Sequence, residues 1–132
     1  MSSFQFPVRV YWEDTDAGGI VFYANYLKFF ERARTEWLRA AGVEQHQLRE
    51  DTGIIFVVAG TSLRYLAPAR LDDMLTITVD PLPAGRASLV VRQRAVRGDT
   101  LLCEGEIRIG CVRADDLKPQ RLPDSVVAAI TA

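Results

Sequence analysis

The spacing of apolar and polar positions changes character along the chain. From Phe6 to Tyr11 it has a period of two: Phe6, Val8 and Val10 share one face of an extended run with a proline at its start, the pattern of a first strand. Glu13 to Gly19 is polar and then glycine-rich, which predicts a loop. From about Ala24 to Ala41 the period becomes helical. Tyr26, Phe30, Ala33, Trp37 and Ala40 follow at intervals of four, three, four and three, and Phe29 and Ala41 widen the stripe. Gly42 is a natural C-terminal cap.

Beyond a loop around His46, four more strands are expected. They run from Ile54 to about Leu66, ended by Pro68, then Leu75–Val79, Ser88–Val96 and Leu101–Val112. In the last, Cys103, Ile107, Ile109 and Cys111 face inward while Glu104, Glu106 and Arg108 face out. Gly98-Asp99 is a tight turn that makes the last two strands a hairpin. Pro123 to Ile130 reads as a short closing helix. Short connections favour antiparallel neighbours, so the expected architecture is α+β: an antiparallel five-stranded sheet curled around one long central helix. The sheet's exposed edges predict a homo-oligomer, dimer or tetramer, because an unpaired edge invites continuation by a second copy.

Bulk properties narrow the picture further. A chain of 132 residues suits a single domain over 1–132, and 48% hydrophobic with 25% charged residues describes an ordinary globular protein. A net charge of −1 with scattered basic residues carries no nucleic-acid footprint. Cys103 and Cys111 fall on one face of a strand and read as small buried hydrophobes. The N-terminus lacks a basic region followed by an apolar run, and the longest mostly apolar stretch, Gly53 to Gly60, is too short to span a bilayer. No transmembrane segment and a cytoplasmic location are the expectation.

Much chemistry is excluded. His46 is the only histidine and sits in a polar stretch, so a Ser-His-Asp or Cys-His mechanism would have to use it. No G-x-S-x-G elbow, dinucleotide fingerprint or P-loop occurs, and a metal site built on several histidines is ruled out. A carboxylate-only metal site is conceivable, but no tight acidic cluster beyond Glu13, Asp14 and Asp16 suggests one. Any catalysis is therefore expected to rest on carboxylates, tyrosines, backbone amides and helix termini, without metal or other cofactor.

The stretch from Glu13 to Tyr26 has that equipment: an acidic turn, two glycines and a short apolar run lead into the long helix. Asp16 supplies a carboxylate near the helix start, and the first helical turn supplies unpaired N–H groups and the positive end of the helix dipole. A thioester suits these groups, since its carbonyl is electrophilic and a thiolate leaves without strong acid assistance. On spacing alone, Asp-x-Asp before Gly-Gly equally describes an ordinary loop with a helix cap.

The run R-V-Y-W-E-D-T-D-A-G-G-I-V-F-Y-A-N-Y-L-K-F-F-E-R-A-R-T-E-W-L-R-A-A-G resembles the signature of the 4-hydroxybenzoyl-CoA thioesterase-like hot-dog proteins. Within them it is most similar to the acyl-CoA thioesterases associated with the Tol-Pal system. The resemblance continues through Tyr65 to Asp73, Ser88 to Arg94 and Leu117 to Pro123. It implies hydrolysis of an acyl-CoA, with Asp16 as nucleophile or general base and the backbone amide of Tyr23 binding the thioester oxygen. It further implies a hot-dog homotetramer, with an acyl carrier protein or envelope protein as a further partner. Many Tol-Pal-associated members carry histidine where this chain has Tyr23, whereas the hydroxybenzoyl-CoA enzymes carry tyrosine. The resemblance points to Arg86 and Ser88 for coenzyme A, with Arg70, Arg92 and Arg94 as alternatives. Glu31 is expected in solvent, and Tyr11, Tyr26 and Trp37 in core or pocket walls. Two other readings remain: a non-catalytic acyl-binding or scaffold module for envelope or phospholipid-synthesis proteins, and a hydratase using His46.

Overall fold

A computed structural model describes residues 3–131. The elements are β1 (Phe4–Arg9), α1 (Asn25–Ala40), α2 (Gln45–Thr52), β2 (Ile54–Tyr65), β3 (Met74–Pro81), β4 (Ser88–Arg97), β5 (Thr100–Arg113) and α3 (Asp124–Thr131). All strand pairs are antiparallel, in the order β1-β3-β4-β5-β2. The α+β architecture, a five-stranded antiparallel sheet curled around α1, is as expected.

The helical stripe forms the core. Tyr26, Phe29, Phe30, Ala33 and Trp37 of α1 are buried against the inward residues of the sheet, among them Leu75, Ile77, Val91 and Ile107. Burying a side chain of this size contributes about 1.5–3 kcal/mol. At its C-terminal end the stripe differs from expectation. Leu38 is buried, while Ala40 and Ala41 lie exposed beyond the sheet. Gly42 takes the left-handed backbone (φ +89°) that closes the helix. Tyr26 and Trp37 are core residues as expected, but Tyr11 is 61% exposed, because β1 ends at Arg9 and the chain turns outward.

Two further expectations need correction. The region around His46 is not a loop but α2, whose N-terminal Glu44 accepts from the His46 and Gln47 N–H groups. The strand connections are also not all between neighbours. β2 pairs with β5 at one edge and β3 pairs with β1 near the other, so residues 66–73 cross the open end of the sheet. That crossing fixes the site, because Val21 donates its N–H to Ala69 and Ile20 bridges Arg70.

Candidate active site

Residues 15–21 form a narrow hairpin. Thr15 pairs with Val21, the Asp16 N–H donates to the Ile20 carbonyl, and the Gly19 N–H donates to the Asp16 carbonyl. Gly19 adopts φ +81°, the left-handed position of a three-residue hairpin loop. Gly18 donates its N–H to Asp16 Oδ1 at 2.8 Å, and a Cβ there would stand 3.1 Å from that oxygen. Gly18 thus holds one carboxylate oxygen of Asp16 on the turn, and Gly19 holds its backbone carbonyl. The residue is exposed.

Its neighbour Asp14 has the opposite fate. It is 6% exposed, its Oδ2 accepts the Tyr11 N–H at 2.8 Å, and its carbonyl accepts both the Phe22 N–H and Asn25 Nδ2. Asp14 ties the hairpin base to the start of α1. Of the three acids Glu13, Asp14 and Asp16, one is therefore a buried structural carboxylate and two are exposed.

No side chain caps α1 and no acid lies in its first turn. Asp16 is not a helix cap. Among the described residues the N–H groups of Tyr23 and Ala24 have no acceptor, as expected of a helix start left for a ligand. The Tyr23 side chain is 62% exposed; its ring packs on Phe22 and edge-on against Tyr65, which lies at the end of β2. The Tyr65 hydroxyl donates to the Tyr23 carbonyl at 3.0 Å. Partial burial, with Cys103 and Tyr23 nearby, raises the Tyr65 phenol above its ordinary value, so it remains a donor at neutral pH. Sequence reasoning missed Tyr65; its only signal was its position at the end of a long strand, just before the A-P-A-R turn.

The structure does not bring Arg86 and Ser88 to the same place. Ser88 pairs with Gly110, whereas Ala95 pairs with Cys103, which in turn pairs with Tyr65. Seven residues along β4 separate the two rungs, about 23 Å at the rise of an extended strand. Arg86 lies beside Arg121, Leu122 and Asp124 around a hollow of about 440 Å³. Arg92 and Arg94 are engaged instead with Glu106 and Glu104, both at 3.5 Å. Arg70 donates its backbone N–H to Asp73 beside the hairpin.

Glu31 is exposed, as expected, and lines a hollow of about 160 Å³ with Arg34, Thr35, Phe56 and Val57. Neither this hollow, nor the one beside Arg86, nor three others among the described residues, is lined by Asp16 or Tyr23. His46 is exposed on α2, beyond the C-terminal end of α1, with Glu50 4.0 Å away. Both cysteines are buried, and burial pushes the Cys103 thiol up to about 12. Neither is placed to act as a nucleophile.

Residues 10–130 match the family model described as "Thioesterase-like superfamily". The chain belongs to the thioesterase-like superfamily. It is 48% identical over 126 residues to the acyl-CoA thioester hydrolase YbgC of Escherichia coli O6:H1, covering 95% of this chain and 93% of that protein. Among solved structures, a probable thioesterase from Bartonella henselae superposes with a TM-score of 0.87 at 33% identity, over 92% of this chain and all of the other. A 4-hydroxybenzoyl CoA thioesterase superposes with a TM-score of 0.91 at 23% identity, over 97% of this chain and 98% of the other, a likeness of fold. The hot-dog thioesterase fold and the resemblance to both groups are borne out.

Proposed function

We propose that the chain hydrolyses acyl-CoA thioesters to the free carboxylic acid and CoA. The Asp16 carboxylate acts as nucleophile or as general base on water, and the Tyr23 N–H receives the thioester oxygen. As nucleophile, Asp16 adds to the carbonyl carbon, the C–S bond breaks with release of CoA thiolate, and water cleaves the resulting anhydride. As base, it takes a proton from the water that attacks. Either route leaves the oxyanion beside an unpaired amide and the positive end of α1, where developing negative charge is best stabilised. Neither route needs a metal or cofactor. The single observation that carries this reading is the pairing, on one short segment, of an exposed carboxylate with a helix start that no side chain caps. The name of the Escherichia coli relative supports the substrate class.

Arg86 and Ser88 hold the CoA phosphates. Since they lie about 23 Å along β4 from the Tyr65 rung, a second copy supplies them to each Asp16. The chain accordingly works as a homo-oligomer, dimer or tetramer. Unpaired edges at β1 and β2 support this, as does the exposure of Phe22, Tyr23, Tyr65 and Leu66 at 41–62%, since clustered apolar exposure marks interaction surfaces. No helix among the described residues is long and apolar enough to cross a membrane. We place the enzyme in the cytoplasm, associated with the Tol-Pal system and taking acyl carrier protein or an envelope protein as a further partner.

Release of free thiol from a panel of short, long and aromatic acyl-CoAs tests the reading. Turnover of at least one class is expected. Binding of acyl-CoA with no thiol released from any of them would favour the acyl-binding scaffold instead.

A further inference from the structure

We infer that Tyr65 is a positioning residue for thioester hydrolysis: its hydroxyl, 3.0 Å from the Tyr23 carbonyl, sets the direction of the Ala24 amide, which joins that of Tyr23 in receiving the thioester oxygen. The inference rests on the reading of Asp16 and Tyr23 above and adds a residue to it. In a trans peptide the C=O and N–H of one unit point in opposite directions. The unit between Phe22 and Tyr23 is held through its carbonyl, which accepts the Asn25 N–H at 2.8 Å. The next unit, between Tyr23 and Ala24, is held through its carbonyl by the Tyr65 hydroxyl. Both plates are pinned from the carbonyl side, so their N–H groups face the other way. Those are the Tyr23 and Ala24 amides that lack an acceptor among the described residues.

The two holds differ in origin. The Asn25 contact belongs to the helix start itself. The Tyr65 contact comes from the far edge of the sheet, through a strand fixed by its rung with Cys103 and a ring lying edge-on to Tyr23 at 6.2 Å. Without it, the Tyr23–Ala24 plate is held only by the turn that the Asn25 N–H closes on the Phe22 carbonyl, at an exposed helix start with no side-chain cap. A donor preset toward the developing oxyanion costs no reorganisation during reaction, whereas a rotating one does. Neighbouring Tyr26 offers a contrast: its ring lies 5.8 Å from Tyr65, but its hydroxyl accepts the Ala69 N–H at 3.3 Å and touches neither plate.

Tyr65→Phe removes one oxygen from a half-exposed side chain and tests the point. With the best acyl-CoA, kcat is expected to fall about 10-fold while KM stays within about twofold, the mark of an interaction needed chiefly in the transition state. Tyr26→Phe is expected to lower the melting temperature while leaving kcat within about twofold of the parent. A Tyr65→Phe enzyme with the parent's kcat, or one with a lowered melting temperature and unchanged kcat, overturns the inference and leaves Asp16 untouched. Loss of turnover in Asp16→Asn alongside normal Tyr65→Phe would identify that outcome. A parent without thioester hydrolysis would remove both readings together.

Discussion

The two ends of the curled sheet handle polar groups in opposite ways. At the Tyr65 end several polar side chains are tied to backbone. Asp14 holds Tyr11, Phe22 and Asn25, Tyr65 holds Tyr23, and one oxygen of Asp16 holds Gly18. Among the groups that network leaves without a partner in the described residues are the second carboxylate oxygen of Asp16 and the Tyr23 and Ala24 amides. At the Ser88 end, Arg86 and Arg121 stand exposed around an open hollow, with Arg121 only 3.9 Å from Asp124. The first end has the rigidity that bond-breaking needs. The second has long, charged arms suited to phosphate but no fixed geometry. In the proposed function, chemistry and recognition are divided between regions that one chain keeps apart.

The largest expected effect lies at the first end. Asp16→Asn still offers Gly18 an acceptor oxygen, so the hairpin survives, yet kcat should fall about 10²–10⁴-fold. Steady-state rates combined with melting curves check this; a folded variant with parental kcat would move the chemistry elsewhere. At the second end, Arg86→Ala or Ser88→Ala should raise KM for acyl-CoA about 10-fold and leave kcat within about twofold, since charged hydrogen bonds to phosphate are lost equally in ground and transition states. Unchanged KM in both variants would erase the division. Asp14→Ala sharpens the contrast within the first end. Leaving the part-buried Tyr11 N–H without its acceptor should cost about 1 kcal/mol of stability by urea denaturation, whereas Asp16→Ala, at an exposed turn, should cost less. The smallest expected effect is at the cysteines: with Cys103 raised to about 12 and both thiols buried, the native protein should show no thiol labelling at pH 8.

Much of this was legible from residue patterns. The alternation in β3, β4 and β5 and the four–three spacing of α1 located the core, because each buries one face against the other. α2 escaped because Leu48 is the only strongly apolar residue among its eight and its cap is Glu44, less usual than serine or aspartate. The crossing from β2 to β3 escaped because its eight residues look like an ordinary turn. Residue pattern alone does not tell Asp14 from Asp16 within an acidic run; the family resemblance singles out Asp16, and the burial of Asp14 arises only when the hairpin base folds against the start of α1. Tyr65 gave no signal beyond its place at the end of a long strand, because its hydroxyl acts on a backbone oxygen 42 residues away. The likeness over residues 10–130 names the family, but only geometry separates the pinned groups from the free ones.

The central claim is that the helix start presents the Tyr23 and Ala24 amides to the thioester oxygen. It is tested most directly by following backbone amide resonances of the Asp16→Asn protein as it is saturated with acyl-CoA. Downfield shifts of those two amides, on a scale comparable with the changes at the Arg86 end, are the expected result. Saturation that moves the Arg86 end and leaves Tyr23 and Ala24 where they were would contradict the account.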